Sequence, residues 1–208
     1  MPAQTIHTEG FVLTRRPAAD PFQSCILFSA ELGSLHVLQR LAKKASATRV
    51  QLDLFDEVAV DLDSSNQGRT WFLREVRVIT RAAAIGRSYE ALRAASAFAA
   101  LVARNSPDPE SHAKTGALLR TAFGAFASPA DPDAVLFKSM YRFARDEGHP
   151  LPQQWLPSLP ADLRSLAEHV LRTPLAELDP ARLKGPELGE LQRRLEDYLR
   201  QNTEILLE

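Results

Sequence analysis

The hydrophobic pattern of this chain changes its period near residue 82, and this change restricts the fold more than any other feature. Before that point apolar and polar residues alternate, as they do around Val58 and Val60, and a period of two residues is typical of β-strands. After it, apolar residues recur every three or four positions, which indicates amphipathic helices. The sequence therefore predicts a strand domain over residues 1–81 and a helical domain over residues 82–208.

Five apolar or alternating segments make up the predicted strand domain, and turn-forming residues separate them. These segments are residues 6–16, 23–30, 35–41, 49–62 and 69–80. Short strands joined in this way suit a small Greek-key barrel of the OB type. A helix over residues 35–45 remains an alternative, because Leu35, Leu38 and Leu41 also fit a period of 3.6.

The second half reads as an all-helical bundle interrupted by segments rich in proline. Helices are predicted over residues 82–104, 110–127, 133–146, 160–172 and 185–201. Gly148 stands where the third helix should end, at a position that glycine often occupies. The predicted fold class is therefore α+β, with an N-terminal five-stranded OB-fold β-barrel followed by an all-helical C-terminal domain.

Positive charge is concentrated in one segment of a chain whose formal net charge is −1. Between residues 11 and 49 only Asp20 and Glu31 oppose six cationic side chains. The six are Arg15, Arg16, Arg40, Lys43, Lys44 and Arg49. In an OB barrel several of these positions converge near one groove, where they can bind phosphates. A solubilising surface is the alternative interpretation of the same cations.

Aromatic residues beside such a groove would stack on nucleic-acid bases. Phe11, Phe22 and Trp71 are the candidates, and each has packing in the core as its alternative role. The acidic run from Asp53 to Asp63 is expected to be a solvated strand face rather than an acid–base pair.

Motifs for nucleotide binding, hydrolysis and zinc binding are absent from the sequence, so we expect neither an enzyme nor a cofactor. The single cysteine, Cys25, cannot form an intramolecular disulfide and stands in an apolar run, which predicts a structural core residue. The histidines are scattered, and the pair His7 and Glu9 alone would not hold a metal. We therefore expect a metal-free protein.

No apolar run reaches the length of a membrane span, and residues 1–10 lack the features of a signal peptide. These features predict a cytoplasmic protein that makes no use of a membrane. Binding to DNA would also associate it with the nucleoid.

Several segments resemble, in their order, the bacterial RecO family of recombination mediators. They are TEGFVL at residues 8–13, LFS at 27–29, ELGSL at 31–35 and LREV at 73–76 for the OB domain, with LLRTAF at 118–123 and FARDEGHPL at 143–151 for the helical domain. The resemblance covers about residues 5–155. It implies a DNA-repair protein that binds single- and double-stranded DNA and anneals complementary strands. Its implied partners are a RecR-type mediator, a single-strand-binding protein and the RecA recombinase.

Two departures from the RecO pattern concern the basic stretch and the metal. The stretch RLAKK at residues 40–44 lacks the glycine of the family's basic segment. The sequence PQQW at residues 152–155 stands where many members begin a zinc-binding cysteine cluster. The resemblance therefore implies a zinc-free variant in which the basic segment keeps its charge.

A protein-interaction scaffold is the alternative function. In this interpretation the barrel does not bind DNA and the helical domain recruits a partner protein. The near-neutral charge of the chain favours the scaffold, whereas the six clustered cations favour DNA.

The first prediction concerns Lys43 and Lys44. If about four phosphates are neutralised, the logarithm of single-strand affinity should fall against the logarithm of salt concentration with a slope of about −3. Changing both lysines to glutamate should roughly halve this slope for an oligonucleotide of any sequence, because phosphates carry no sequence information. Fluorescence anisotropy at several salt concentrations measures the slope, with circular dichroism as the folding control. An unchanged slope in a folded double variant would contradict the prediction.

Overall fold

The computed structural model describes residues 4–17, 21–41, 51–64, 68–178, 183 and 186–207. Its class is α+β, with a five-stranded sheet followed by helices, as the sequence predicts. The chain divides into two compact units. The first contains Met1–Ala82 and Ser106–Arg120, and the second contains Ala83–Asn105 and Thr121–Glu208. The domain ranges 1–81 and 82–208 stay a prediction.

The strands of the first unit lie close to the segments that the alternation predicts. They are β1 (Gln4–Arg15), β2 (Phe22–Ser29), β3 (Gly33–Arg40), β4 (Glu57–Ser64) and β5 (Trp71–Thr80). Their order in the sheet is β1-β2-β3-β5-β4, and β4 pairs back to β1, so that the sheet closes on itself. All neighbours are antiparallel except β3 and β5, which are parallel.

The strand predicted over residues 35–41 is confirmed by β3, and the helical alternative is excluded for Leu35–Arg40. The predicted strand 49–62 begins too early, since β4 begins only at Glu57. Phe55 has a φ of 66° and its N–H donates to the carbonyl of Val12 at 2.8 Å. A left-handed residue interrupts the extended backbone, so the strand starts after it.

The interior of the first unit is filled by the inward-facing residues of all five strands. Val12, Leu27 and Val58 are each fully buried, and they come from three different strands. Side chains alternate between the two faces of a strand, so their neighbours in sequence point outward. The burial of one face therefore decides which residues form the outer surface of the sheet.

The helices are α1 (Tyr89–Arg104), α2 (His112–Phe126), α3 (Pro132–Asp146), α4 (Trp155–Ser158), α5 (Ala161–Arg172) and α6 (Pro186–Asn202). Capping accounts for two of the starts. The Ser88 hydroxyl accepts the N–H of Ala91 at 3.2 Å before α1, and Asp131 accepts two N–H groups at the start of α3. Among the described residues, none of the helices has the length and apolar character needed to cross a membrane.

The short helix α4 is absent from the sequence prediction, and it supplies the largest fully buried side chain of the second unit. The ring of Trp155 lies 6.0 Å from that of Phe137 and 5.9 Å from that of Tyr141. Its indole N–H donates to the carbonyl of Arg194 at 3.3 Å. This packing ties α4 to α3 and α6 at the place where the RecO resemblance would put a zinc cluster.

The second prediction concerns the effect of a substitution at Gly33 on stability, because two independent constraints require glycine there. Its φ is +72°, and a Cβ atom would lie 2.6 Å from Cε1 of His112. We expect Gly33→Ala to lower the free energy of unfolding by about 1–3 kcal/mol. Gly124 is the matched control, since it is helical and a Cβ there meets no atom within 4 Å. Gly124→Ala should raise stability by about 0.5–1 kcal/mol. Urea denaturation measures both, and equal effects of one sign would contradict the expectation.

Candidate nucleic-acid interface

Three of the six predicted cationic residues lie in described parts of the first unit. Arg15 ends β1 and Arg16 follows it, while Arg40 ends β3. The N–H of Arg16 donates to the carbonyl of Ser24 at 3.0 Å, and Arg40 stands opposite Phe22. Both partners are near the start of β2, so Arg16 and Arg40 lie at the same end of the sheet. The other three, Lys43, Lys44 and Arg49, lie outside the described residues.

Arg16 and Arg40 are exposed, and no residue in the described ranges forms an ion pair with either of them. Arg15 differs from them. Its guanidinium donates to Asp53 Oδ1 at 2.5 Å and to Gln23 Oε1 at 3.1 Å, and the side chain is only 24% exposed. The charge of Arg15 is therefore compensated within the chain, whereas the charges of Arg16 and Arg40 are open to solvent.

Beside the two exposed arginines is an apolar surface formed by outward-facing side chains of β2, β3 and β5. Phe72 on β5 is opposite Leu38 on β3, and Leu38 is opposite Ser24 on β2. The rings of Phe22 and Phe72 meet edge to face, with centroids 5.7 Å apart. Phe72 is 37% exposed. We call this surface the arginine–phenylalanine face, and it consists of Arg16, Phe22, Leu38, Arg40 and Phe72.

The aromatic residue that the sequence analysis missed is thus Phe72. Of the three predicted stacking candidates, Phe11 and Trp71 are each 5% exposed, while Phe22 is partly accessible. Trp71 belongs to the interior of the sheet, and the ring of Phe11 is buried beneath the guanidinium of Arg120 on α2. The alternation of side chains along a strand could have predicted the exposure of Phe72. Because Trp71 faces inward, the next residue of β5 has to face outward.

Two members of the acidic run are buried, which contradicts the expected solvated face. Asp56 is 2% exposed and accepts hydrogen bonds from the Arg81 guanidinium at 2.5 Å and the Ala82 N–H at 3.0 Å. Glu57 is 6% exposed and accepts from the Arg120 guanidinium. The hydrogen bonds explain the burial, because a buried carboxylate needs such partners. Asp53, Asp61 and Asp63 are at least partly exposed, as expected.

A cleft of about 390 Å³ lies elsewhere in the first unit, between β1 and the start of α2. Its wall includes the carboxylates Glu9, Glu31 and Glu57, together with Arg120. Hydrogen bonding to Glu57 raises the pKa of Arg120, whose guanidinium also lies 5.6 Å above the ring of Phe11. Among the described lining residues the only arginine is bound to Glu57, so no unpaired guanidinium there is open to a phosphate, unlike on the arginine–phenylalanine face.

Within the described residues, no group of three or more His, Cys, Asp or Glu side chains is arranged to hold a metal ion. The absence of a metal and a cofactor from the protein itself stays a prediction. No known family model matches the sequence, and no curated protein is significantly similar to it. The resemblance to the RecO family therefore stays a hypothesis.

Cys25 carries the third prediction. Burial raises the pKa of its thiol to about 12, and the positive charge of Arg15 opposes this only partly. At pH 8 about one thiol in ten thousand is then the reactive thiolate. We expect the native protein to resist a thiol reagent at pH 8 and the denatured protein to react completely. The time course of colour release with Ellman's reagent measures this, and rapid labelling of the folded protein would indicate a functional thiol.

Proposed function

We propose that the chain binds single-stranded DNA on the arginine–phenylalanine face. The observation that carries the proposal is an edge-to-face pair of rings, one exposed and one partly exposed, beside two arginines without ion-pair partners among the described residues. Arginine binds phosphate, and exposed rings stack on unpaired bases whatever their identity. Bases inside a duplex are already stacked, so the rings favour a single strand.

The strand order supports an OB-type barrel as the scaffold of this site. In that fold the outer surface of the second and third strands and the loops around them bind oligonucleotides. Phe22, Leu38 and Arg40 belong to β2 and β3. Phe72 extends the same surface onto β5. This location supports the proposal, because an OB barrel would bind nucleic acid on the same strands.

Together with the RecO resemblance, this site supports a role as the DNA-binding component of a recombination mediator. Such a protein would hold two complementary strands and anneal them, because its cations screen their phosphates from one another. Double-stranded DNA would bind through the same cations with less help from the rings. A RecR-type protein, a single-strand-binding protein and a RecA recombinase are the proposed partners.

The cleft of the first unit favours a second candidate function, the protein-interaction scaffold. Glu57 is already bound to Arg120, but Glu9 and Glu31 on the same wall are exposed carboxylates, complementary to a basic side chain of a partner protein. In the scaffold interpretation the barrel binds no DNA, so a DNA-binding titration separates the two functions. A chain that binds no DNA at low salt would leave the scaffold as the better proposal.

The fourth prediction separates base stacking from charge. Phe72→Ala should weaken binding of a labelled oligothymidine by about 1–3 kcal/mol while leaving the salt slope unchanged. Arg16→Gln with Arg40→Gln should instead reduce the slope by about 1.4, since two phosphate contacts are lost. Fluorescence anisotropy at several salt concentrations gives both quantities.

Matched controls exist for both changes. Ile79 lies on the same strand as Phe72 and is equally exposed, at 37%, but has no ring. Arg193 belongs to the second unit and pairs with Glu190 and Asp197. Ile79→Ala and Arg193→Gln should leave affinity and slope near those of the unaltered protein. Equal losses in test and control variants, or no binding by the unaltered protein, would reject the proposed function.

A further inference from the structure

We infer that Asp53 competes with nucleic-acid phosphate for Arg15, so that the chain's own carboxylate limits its affinity for DNA. This inference rests on the proposed function. It concerns Arg15, which the sequence predicts to be a DNA-binding cation and which forms an ion pair with Asp53 in the structure.

Arg15 is connected to the arginine–phenylalanine face through Gln23. The guanidinium of Arg15 donates to Gln23 Oε1 at 3.1 Å, and Gln23 Nε2 donates to the carbonyl of Arg16 at 3.3 Å. Gln51 Nε2 also donates to Gln23 Oε1, at 3.4 Å. A DNA strand that contacts Arg16 therefore passes close to Arg15. Asp53 is the charged group that stands against Arg15 at that point.

The connection before β4 holds Asp53 in a defined position. Oδ1 of Asp53 accepts the N–H of Leu54 at 2.9 Å, and its carbonyl accepts the N–H of Asp56 at 3.3 Å. Phe55 is 4% exposed and adopts a left-handed backbone that is rare for a residue other than glycine. Such a conformation persists only where the surroundings determine it. The connection therefore presents the carboxylate of Asp53 to Arg15 as a fixed feature.

The ion pair can be opened by a competing anion. The side chain of Asp53 is 64% exposed, so solvent reaches the carboxylate side of the pair. The carboxylate can therefore exchange Arg15 for water, while the guanidinium keeps its hydrogen bond to Gln23 Oε1. A phosphate oxygen accepts the same charge-assisted hydrogen bonds from a guanidinium as a carboxylate does. While Asp53 keeps its place, its negative charge also repels a nearby phosphate.

Asp53→Asn tests the inference, and it is the fifth prediction. Asparagine keeps the oxygen that accepts the Leu54 N–H but loses the charge that holds Arg15. One additional phosphate contact should make the salt slope for oligothymidine steeper by about 0.7 and tighten binding about 5- to 10-fold at about 50 mM salt. Anisotropy of the labelled oligonucleotide measures both, with thermal unfolding as the folding control.

Asp61 supplies the matched control. Its carboxylate lies 2.6 Å from Nδ1 of His7, between β1 and β4, so Asp61→Asn changes the net charge equally without freeing Arg15. Its effect on affinity should stay below about twofold, because salt screens a charge that is not at the site. In an Arg15→Gln background, Asp53→Asn should have no larger effect than this control.

The outcomes separate the inference from the function on which it rests. If the unaltered protein binds DNA through Arg16 and Arg40 but Asp53→Asn binds no more tightly than Asp61→Asn, the inference is wrong and the proposed function stands. A gain that persists in the Arg15→Gln background would also overturn it. Absence of binding by every variant would reject the proposed function together with the inference.

Discussion

The pairing of β1 with two neighbours at once is the constraint on which the rest of the first unit depends. Gly10 and Phe11 face Ser29 and Phe28 of β2 on one side and residues of β4 on the other. Because β1 joins these two strands, the sheet closes and acquires an inner and an outer surface. Every assignment of a side chain to the core or to a binding surface follows from that closure.

The periodicity of the sequence accounts well for the strands and less well for the connections. Alternation locates β2 and β3 to within about two residues, since a buried face imposes a period of two. It does not reveal the left-handed Phe55, because that conformation depends on hydrogen bonds between residues distant in sequence. Helical periodicity also locates elements closely, since α3 begins at Pro132, one residue before its predicted start.

The candidate site was only partly predictable, because its charge also depends on contacts between residues distant in sequence. A count of cations includes Arg15 with Arg16, although strand alternation directs the two side chains to different environments. Asp53 compensates Arg15, and this pairing joins residues 38 positions apart. Ion pairs also join β5 to other strands, where Arg74 lies 3.3 Å from Asp63 of β4, and Arg77 of β5 lies 3.8 Å from Glu9 of β1. Net charge therefore says little here, because the placement of the pairs decides which surface stays positive.

The contact between Phe22 and Phe72 has a consequence for how this surface can change during evolution. The two rings come from β2 and β5, which flank β3, and β3 and β5 are joined by only two residue pairs. The rings thus help to hold the weakest junction of the sheet while remaining accessible for stacking. In the proposed function a substitution of either ring would alter both roles, so selection for a stable sheet would also preserve the aromatic surface.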